Sequence, residues 1–137
     1  MKEIVQPDGT RIVTNARQRR VLSPDTAITV RDLLGRVIDT GTGSRAELSD
    51  YTAGGKTGTT EKFDVEAGVY SDDTYASFIG MAPLNDPRVV VAVVLDSPVG
   101  QLDDGTSLRL GGASAAPVFA EVAQNALHQL GVAPDKE

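Results

Sequence analysis

Apolar and polar positions recur along this chain at two different periods, and each change of period marks an element. At the start, Glu3-Ile4-Val5 and Thr10-Arg11-Ile12-Val13 flank Pro7-Asp8-Gly9. Proline presets φ for a turn and glycine accepts a positive φ, so residues 1–20 predict a small hairpin and then a polar, arginine-rich loop. The period then lengthens. Ala27, Val30, Leu33, Leu34, Val37 and Ile38 recur at helical spacing. Ahead of them, Ser23 can cap a helix and Pro24 sits where its missing N–H costs nothing. The spacing predicts a helix over 23–40, ended by Gly41 and Gly43, which reverse the chain.

Beyond a polar stretch the pattern becomes that of strands. In Ala53-Gly54-Gly55-Lys56-Thr57-Gly58-Thr59-Thr60 the threonines favour a strand, and the glycines admit close approach to the backbone. A charged loop, Glu61 to Asp73, should lead into a second strand over Thr74 to Met81. Pro83 to Pro87 turns the chain into Arg88 to Asp96, a run so apolar and β-branched that it predicts a strand covered on both faces. A second loop, Ser97 to Gly112, is rich in Gly and Asp. The closing helix should begin near Ala115-Ala116-Pro117, within 113–131, with Val118, Phe119, Val122, Ala126, Leu127 and Leu130 inward and Gly131 as its stop. The class is α+β: a three-strand antiparallel meander over 53–96 plus an N-terminal hairpin, with packed helices, the last across the sheet.

Composition narrows the function. The 137 residues are 40% apolar, which suits a folded single unit. A net charge of −6 argues against a nucleic-acid partner, and Arg17, Arg19 and Arg20 lack the interleaved aromatics such a surface needs. They read as a solvated loop edge. With no cysteine, disulfides, thiol catalysis and cysteine-ligated metals are excluded. No run approaches the ~20 apolar residues of a membrane span, and Met1 to Val5 has no signal-peptide core. Asp72-Asp73 and Asp103-Asp104 form acidic loop pairs without convergent ligands, so neither a metal nor any other cofactor is expected. His128, late in the last helix, reads as a solvated helix-end residue. Tyr70 and Tyr75 read as packing residues near the strand carrying Lys56, with groove lining as the alternative.

Gly55-Lys56-Thr57 invites comparison with a phosphate loop, but the required earlier glycine is Asp50, and no buried strand leads in. Gly41-Thr42-Gly43-Ser44-Arg45-Ala46 mimics a dinucleotide fingerprint after a helix, whereas that fingerprint must follow a strand. Read as a strand, Lys56 and Gly58 face one way and Thr57 and Thr59 the other. Lys56 then offers a positive charge to a cleft. Gly58 leaves room for a ligand along the backbone, the Thr59 N–H is free to donate to a developing oxyanion, and the two threonine hydroxyls can receive a carboxylate. The bland alternative is an exposed edge strand guarded by a lysine. Four residues alone leave both open.

The surroundings carry more. Lys56-Thr57-Gly58 resembles the K-T-G motif that serine β-lactamases and penicillin-binding proteins carry. Arg19 to Ser23, Ala53 to Thr60, Tyr75 to Pro83, Asp86 to Val89 and Gly111 to Phe119 resemble, in order, segments of class B penicillin-binding proteins. The chain resembles the C-terminal part of their transpeptidase domain. That resemblance implies a parent that cross-links peptidoglycan: a serine attacks the D-Ala–D-Ala bond of a stem peptide, and β-lactams acylate the same serine. It implies that Lys56 bonds a serine of a second motif. Thr57 and Thr59, beside Gly58, would bind the terminal carboxylate, and the Thr59 N–H would be half of the oxyanion hole.

Two parts of that machinery are missing from this sequence. No serine is followed three residues on by lysine, and none has asparagine two residues on, so neither S-x-x-K nor S-x-N is present. Nucleophile, base and oxyanion donors must meet in one place, so the chain alone should be inactive. The resemblance also implies a five-stranded sheet whose first two strands come from earlier in the domain. Residues 88–96 would then pair with a complementary N-terminal part, or self-associate through an open edge. The parent would work outside a bacterial cell membrane, in division or elongation and cell shape. A non-catalytic interaction module of the same fold, or part of a serine β-lactamase, are the alternative readings.

Overall fold

The order of elements is β1 (Glu3–Val5), β2 (Arg11–Val13), α1 (Pro24–Asp39), a 3-10 turn (Ser44–Ala46), β3 (Gly54–Asp64), β4 (Val69–Ala82), β5 (Val89–Asp96) and α2 (Gly111–Gln129). The structure, a computed structural model, describes residues 3–13 and 19–136. Arg17 of the basic cluster and the chain start at Met1 and Lys2 lie outside the described residues, while Arg19 and Arg20 are exposed.

Both N-terminal elements form for the reasons their sequence suggests. The β1–β2 turn places Gly9 at φ 83°, and Asp8 Oδ1 accepts the Thr10 N–H at 2.9 Å. That bond holds the Asp8 carboxyl below the usual range. Ser23 Oγ accepts the Thr26 N–H at 3.1 Å and caps α1. The α1 stripe is only half covered, however. Ile38 is buried and Leu34 and Val37 half-buried where β3 closes on the helix, Gly54 lying against Leu34 and Gly35, but Ala27, Val30 and Leu33 are exposed. Gly41 and Gly43 do follow the helix, yet neither has a positive φ. Gly43 serves close approach instead, since a Cβ there would lie 3.1 Å from Phe78 Cε2.

β3, β4 and β5 form an antiparallel sheet in that order. The expected charged loop from Glu61 to Asp73 is mostly sheet: β3 and β4 run on as a long hairpin joined by residues 65–68. Asp64 Oδ1 accepts the N–H groups of Glu66 and Ala67 at 2.9 and 3.0 Å, and Gly68 takes φ 70°. Charged residues are tolerated because both faces of this extension meet water. Its tip is held by edge-on packing of Phe63 and Tyr70, with centroids 5.2 Å apart.

β5 corrects the expectation of two covered faces. Val89, Val91, Val93 and Leu95 are half-buried against the core, whereas Val90 and Val94 are 72% and 60% exposed. Its outer edge is unpaired among the described residues.

The closing helix also differs from expectation. It starts at Gly111, four residues before Ala115, and carries Pro117 inside it. The two glycines explain the early start. A Cβ on Gly111 would strike the carbonyls of Gly58 and Ser77, and one on Gly112 the Thr42 carbonyl, so only glycine lets this turn seat against β3 and β4. The inward face is Ala115, Ala116, Phe119, Ala123 and Leu127, while Val118, Val122 and Leu130 are exposed. Alanines, not valines, set the close spacing to the sheet. Gly131 at φ 65° ends the helix, and the Val132 N–H returns to the Leu127 carbonyl at 3.1 Å.

The core centres on Phe78 and Phe119, whose rings lie 4.8 Å apart. Gly55 and Gly80 face each other across β3 and β4 and make room for these rings. Ala46, Leu48 and Tyr51 are fully or nearly fully buried within the stretch that reads as polar. Burial raises the Tyr51 phenol pKa, with Asp50 and Asp135 adding to the effect, and the hydroxyl donates to the Val132 carbonyl at 2.7 Å. The C-terminal residues thereby clasp this stretch: Asp135 accepts the Thr52 N–H at 2.6 Å and the Thr52 hydroxyl.

Candidate active site

The chemistry-bearing tetrapeptide lies on β3, an edge strand whose outer side has no partner strand among the described residues. Pairing fixes its sidedness. Thr57 and Thr59 stand opposite Phe78 and Ala76, on the face that α2 covers, while Lys56 and Gly58 stand opposite Ile79 and Ser77 on the other face. This is the alternation that period two demands.

Alternate residues of an antiparallel edge strand point both backbone groups toward the partner or both away. Lys56 Nζ donates to the Thr57 carbonyl at 2.9 Å, which marks Thr57 as an outward residue. Thr59, two positions on, shares its sense, so its N–H faces the open edge. Lys56 is exposed and also reaches Thr57 Oγ1 at 3.2 Å. Gly58 also leaves room on the neighbouring strand: a Cβ there would meet Ser77 Oγ and oblige that hydroxyl to turn away.

Behind Thr57 and Thr59 sits a cleft of about 300 Å³, lined among others by Thr42, Arg45, Leu110 and Gly112. Thr57 Oγ1 shares a hydrogen bond with Thr42 Oγ1 at 2.9 Å, and Thr59 Oγ1 accepts the Gly111 N–H at 3.1 Å. The first turn of α2 is thus tied to the strand, its positive end toward the threonines. Arg45 and Asp104 pair at 2.9 Å at the rim. Hydrogen bonds from Thr106, with Arg45 adding, hold the Asp104 carboxyl below the usual range. Thr42 and Arg45 belong to the segment that mimics a dinucleotide fingerprint, and the structure brings them to the tetrapeptide instead. The glycine pair at 111–112, demanding close contact with something, was the available signal.

A larger groove of about 560 Å³ continues along β3 past Thr59, lined by Thr60, Glu61, Tyr70, Arg109 and Leu110 among others. Tyr70 is 67% exposed and combines the two readings offered for it, packing on Phe63 and lining this groove. Tyr75 is 43% exposed and lies under Lys62, whose ammonium is 4.5 Å from the ring centroid. Asp72 and Asp73 fall within β4 rather than in a loop, and Asp72 stands 3.5 Å from Arg109.

The remaining candidates lie elsewhere. His128, half-exposed at the far end of α2, contacts Asp50 at 2.8 Å, and Gln124 donates to the same carboxylate at 2.6 Å. Among the described residues, no three His, Asp or Glu side chains converge as metal ligands, and no helix is long and apolar enough to cross a membrane.

Comparison with known proteins agrees with this geometry. The penicillin binding protein transpeptidase domain family matches residues 1–124. The penicillin-binding protein PbpB of Mycolicibacterium smegmatis is 36% identical over 98% of this chain, which covers 22% of that relative. The stage V sporulation protein D of Bacillus subtilis is 38% identical over 87% of the chain and 17% of its own length. The chain therefore spans about a fifth of these relatives. Among solved structures, penicillin binding protein 3 of Mycobacterium tuberculosis in complex with ampicillin superposes with a TM-score of 0.77 at 33% identity, over all of this chain and 31% of that one. The transpeptidase domain of Burkholderia pseudomallei penicillin-binding protein 3 gives 0.75 at 38% identity, over 90% of this chain and 37% of its own. With its α+β sheet, its K-T-G-T edge strand and this order of elements, the chain belongs to the family of penicillin-binding protein transpeptidase domains.

Proposed function

We propose that this chain forms the substrate-binding and oxyanion wall of a peptidoglycan D,D-transpeptidase. The observation that carries the reading is the outer edge of β3, without a partner strand among the described residues, with the Thr59 N–H facing outward beside the exposed Lys56 ammonium. An extended stem peptide ending in D-Ala–D-Ala lies along that edge as an added strand. Its terminal carboxylate is received by the hydroxyls of Thr57 and Thr59, close to the positive end of α2. Gly58 leaves the backbone open to it.

The reaction is acyl transfer. A serine hydroxyl attacks the penultimate carbonyl, and the negative charge that forms on oxygen is met by the Thr59 N–H. The C–N bond breaks, D-alanine leaves with the serine's proton, and a neighbouring stem-peptide amine then displaces the serine from the ester. A β-lactam enters by the same route, its ring amide opening onto the serine. Lys56 holds a serine of the second motif and keeps the proton network polarised.

That serine and its lysine must come from a segment with S-x-x-K and S-x-N, since neither motif occurs in this sequence. The segment docks on the open edge of β5 and the exposed half of the α1 stripe, placing its nucleophile opposite β3. The assembled protein works outside a bacterial cell membrane, in division or elongation. Fluorescent penicillin tests the reading. The chain alone should remain unlabelled, and addition of a segment with both motifs should give a covalent adduct on that segment's serine. Labelling of the chain alone, or none with the complement bound, would refute it.

A further inference from the structure

The strand that carries Lys56 is anchored at its start by residues far from the site. Thr52, two positions before β3, binds in three directions. Its N–H and its hydroxyl both donate to the Asp135 carboxylate, the former at 2.6 Å, and its oxygen accepts the Leu84 N–H at 2.9 Å. One short side chain thus joins the C-terminal residues, the approach to β3 and the turn between β4 and β5.

Leu84 carries that tie inward. A Cβ added to Gly35 or Gly54 would lie 2.8 or 2.7 Å from a Leu84 methyl carbon, and the one on Gly54 only 3.1 Å from the Gly35 nitrogen. Leu84 therefore flanks the closest approach of α1 to the first residue of β3. Lys56 stands two residues further along the same strand, roughly 7 Å away.

The rest of the C-terminal stretch is tied down as well. The Asp50 carbonyl accepts the N–H groups of Asp135 and Lys136 at 3.1 and 3.2 Å, while its carboxylate is held by Gln124 and His128 of α2. The Lys136 ammonium donates to the Leu48 carbonyl at 2.7 Å and pairs with Glu47 at 3.0 Å. Residues 132–136 lie beyond residue 124, where the family match ends. Asp135 is exposed, so replacing it disturbs these bonds and little packing.

We infer that residues 132–136 form a C-terminal strap in which Asp135 is a positioning residue. Through Thr52 and Leu84 it sets the stance of α1 against the start of β3, and with it the placement of Lys56 and the Thr59 N–H. Its effect on the reaction rests on the reading of β3 as the substrate edge. Reacting groups tolerate little misplacement: about 1 Å, caused far from the chemistry, costs up to ~10²-fold in rate.

The first arm of the test is hydrogen exchange of the chain, read amide by amide. Asp135→Ala should speed exchange at Thr52, Leu84 and Lys56 by roughly three- to tenfold, the scale of one lost charge-assisted bond near the surface. Phe119 and Ala123 within α2 should exchange as before. Thr52→Ser keeps the hydroxyl and should retain the protection, whereas Thr52→Val, of the same shape, should lose it at Leu84. The second arm is fluorescent-penicillin labelling of the chain assembled with a segment carrying S-x-x-K and S-x-N. There Asp135→Ala should slow acylation by a similar factor. Faster exchange throughout, α2 included, would make Asp135 a general stabiliser and overturn the positioning role. Unchanged exchange at Lys56, or undiminished acylation, would overturn it too. Failure of the unsubstituted assembly to label would instead refute the substrate-wall reading, and the exchange arm would still decide whether the strap holds β3.

Discussion

Replacing Gly80 with alanine tests the packing that holds the site strand. Gly80 pairs with Gly55, the residue before Lys56, and both are buried. A Cβ on Gly80 would lie 2.7 Å from two ring atoms of Phe119 and 2.8 Å from Phe78 Cε1. Carbon atoms prefer separations of roughly 3.5–4.0 Å, so a ring must move by about 1 Å. Both rings are fully buried and pressed together, with no free side to relax into. Overpacking of this kind costs about 1–3 kcal/mol, against which alanine recovers roughly 0.5–1 kcal/mol through a less flexible unfolded chain. The net loss of ~1–2 kcal/mol should lower Tm by roughly 3–10 °C for a chain of this size. Thermal unfolding followed by circular dichroism measures it. Phe119→Leu in the same chain should couple with Gly80→Ala, making the double variant more stable than the sum of the two losses by at least ~0.5 kcal/mol. An unchanged or higher Tm for Gly80→Ala would show that the rings yield freely and that the glycine pair does not shape this strand.

Other substitutions probe separate links. Ser23→Ala removes the α1 cap and should cost about 0.5–2 kcal/mol in urea unfolding, with an unchanged m-value. Thr59→Pro removes an outward N–H and should abolish penicillin labelling of the assembled protein, whereas Thr60→Ala should leave it intact. Val90→Lys with Val94→Lys should suppress self-association of the chain in light scattering if the β5 region is the sticky surface. Lys62 and Asp96 bond each other directly; that bond raises the Lys62 pKa and, with Ser97 assisting, lowers that of Asp96. A depressed carboxylate contributes stability above its unfolded pKa of about 3.9 and loses it as pH falls through the lower folded value. A raised lysine contributes below about 10.4 and loses it as pH rises through the higher folded value. Asp96→Asn should therefore flatten stability at both ends of the pH range, with its main effect on the plateau between them.

Much of this structure is written in local pattern, and the failures share one cause. Ser23-Pro24, Pro7-Asp8-Gly9 and Gly131 act within a few residues of themselves, and each does what its chemistry dictates. The strand carrying Lys56 was legible because threonine and glycine leave few alternatives, although its continuation to Asp64 was not. Charge at Glu61, Lys62 and Asp64 resembles a loop when the strand's two faces are unknown. The same ignorance of neighbours misassigned the inner face of α2. Val118 and Val122 are the larger apolar residues, but the inner face of the helix is set by Ala115, Ala116 and Ala123, with Phe119 and Leu127 the large side chains beneath it. Leu48 and Tyr51 escaped notice because no period marks a core residue in an irregular segment.

At the site, the residues of the tetrapeptide were legible and their supports were not. Thr42, Gly111 and Ser77 come from three other parts of the chain, and each touches one residue of the edge strand: Thr57 through a hydroxyl pair, Thr59 through an N–H, Gly58 through the hydroxyl that fills the space a Cβ would take. Only the tertiary fold brings them together. Their arrangement also separates two demands on one strand. Side chains of Thr57 and Thr59 are engaged inward by Thr42 and α2, while the backbone groups of the same residues face an edge with no partner strand among the described residues. A ligand that takes the outer edge must therefore bind backbone first and compete for the hydroxyls second. Replacing Thr42 with valine should sharpen that order, since Thr57 would lose its hydroxyl partner and gain freedom to turn toward the edge. Carboxylate recognition should then change while the oxyanion donor, a backbone group held by the ladder on either side of it, stays where it is.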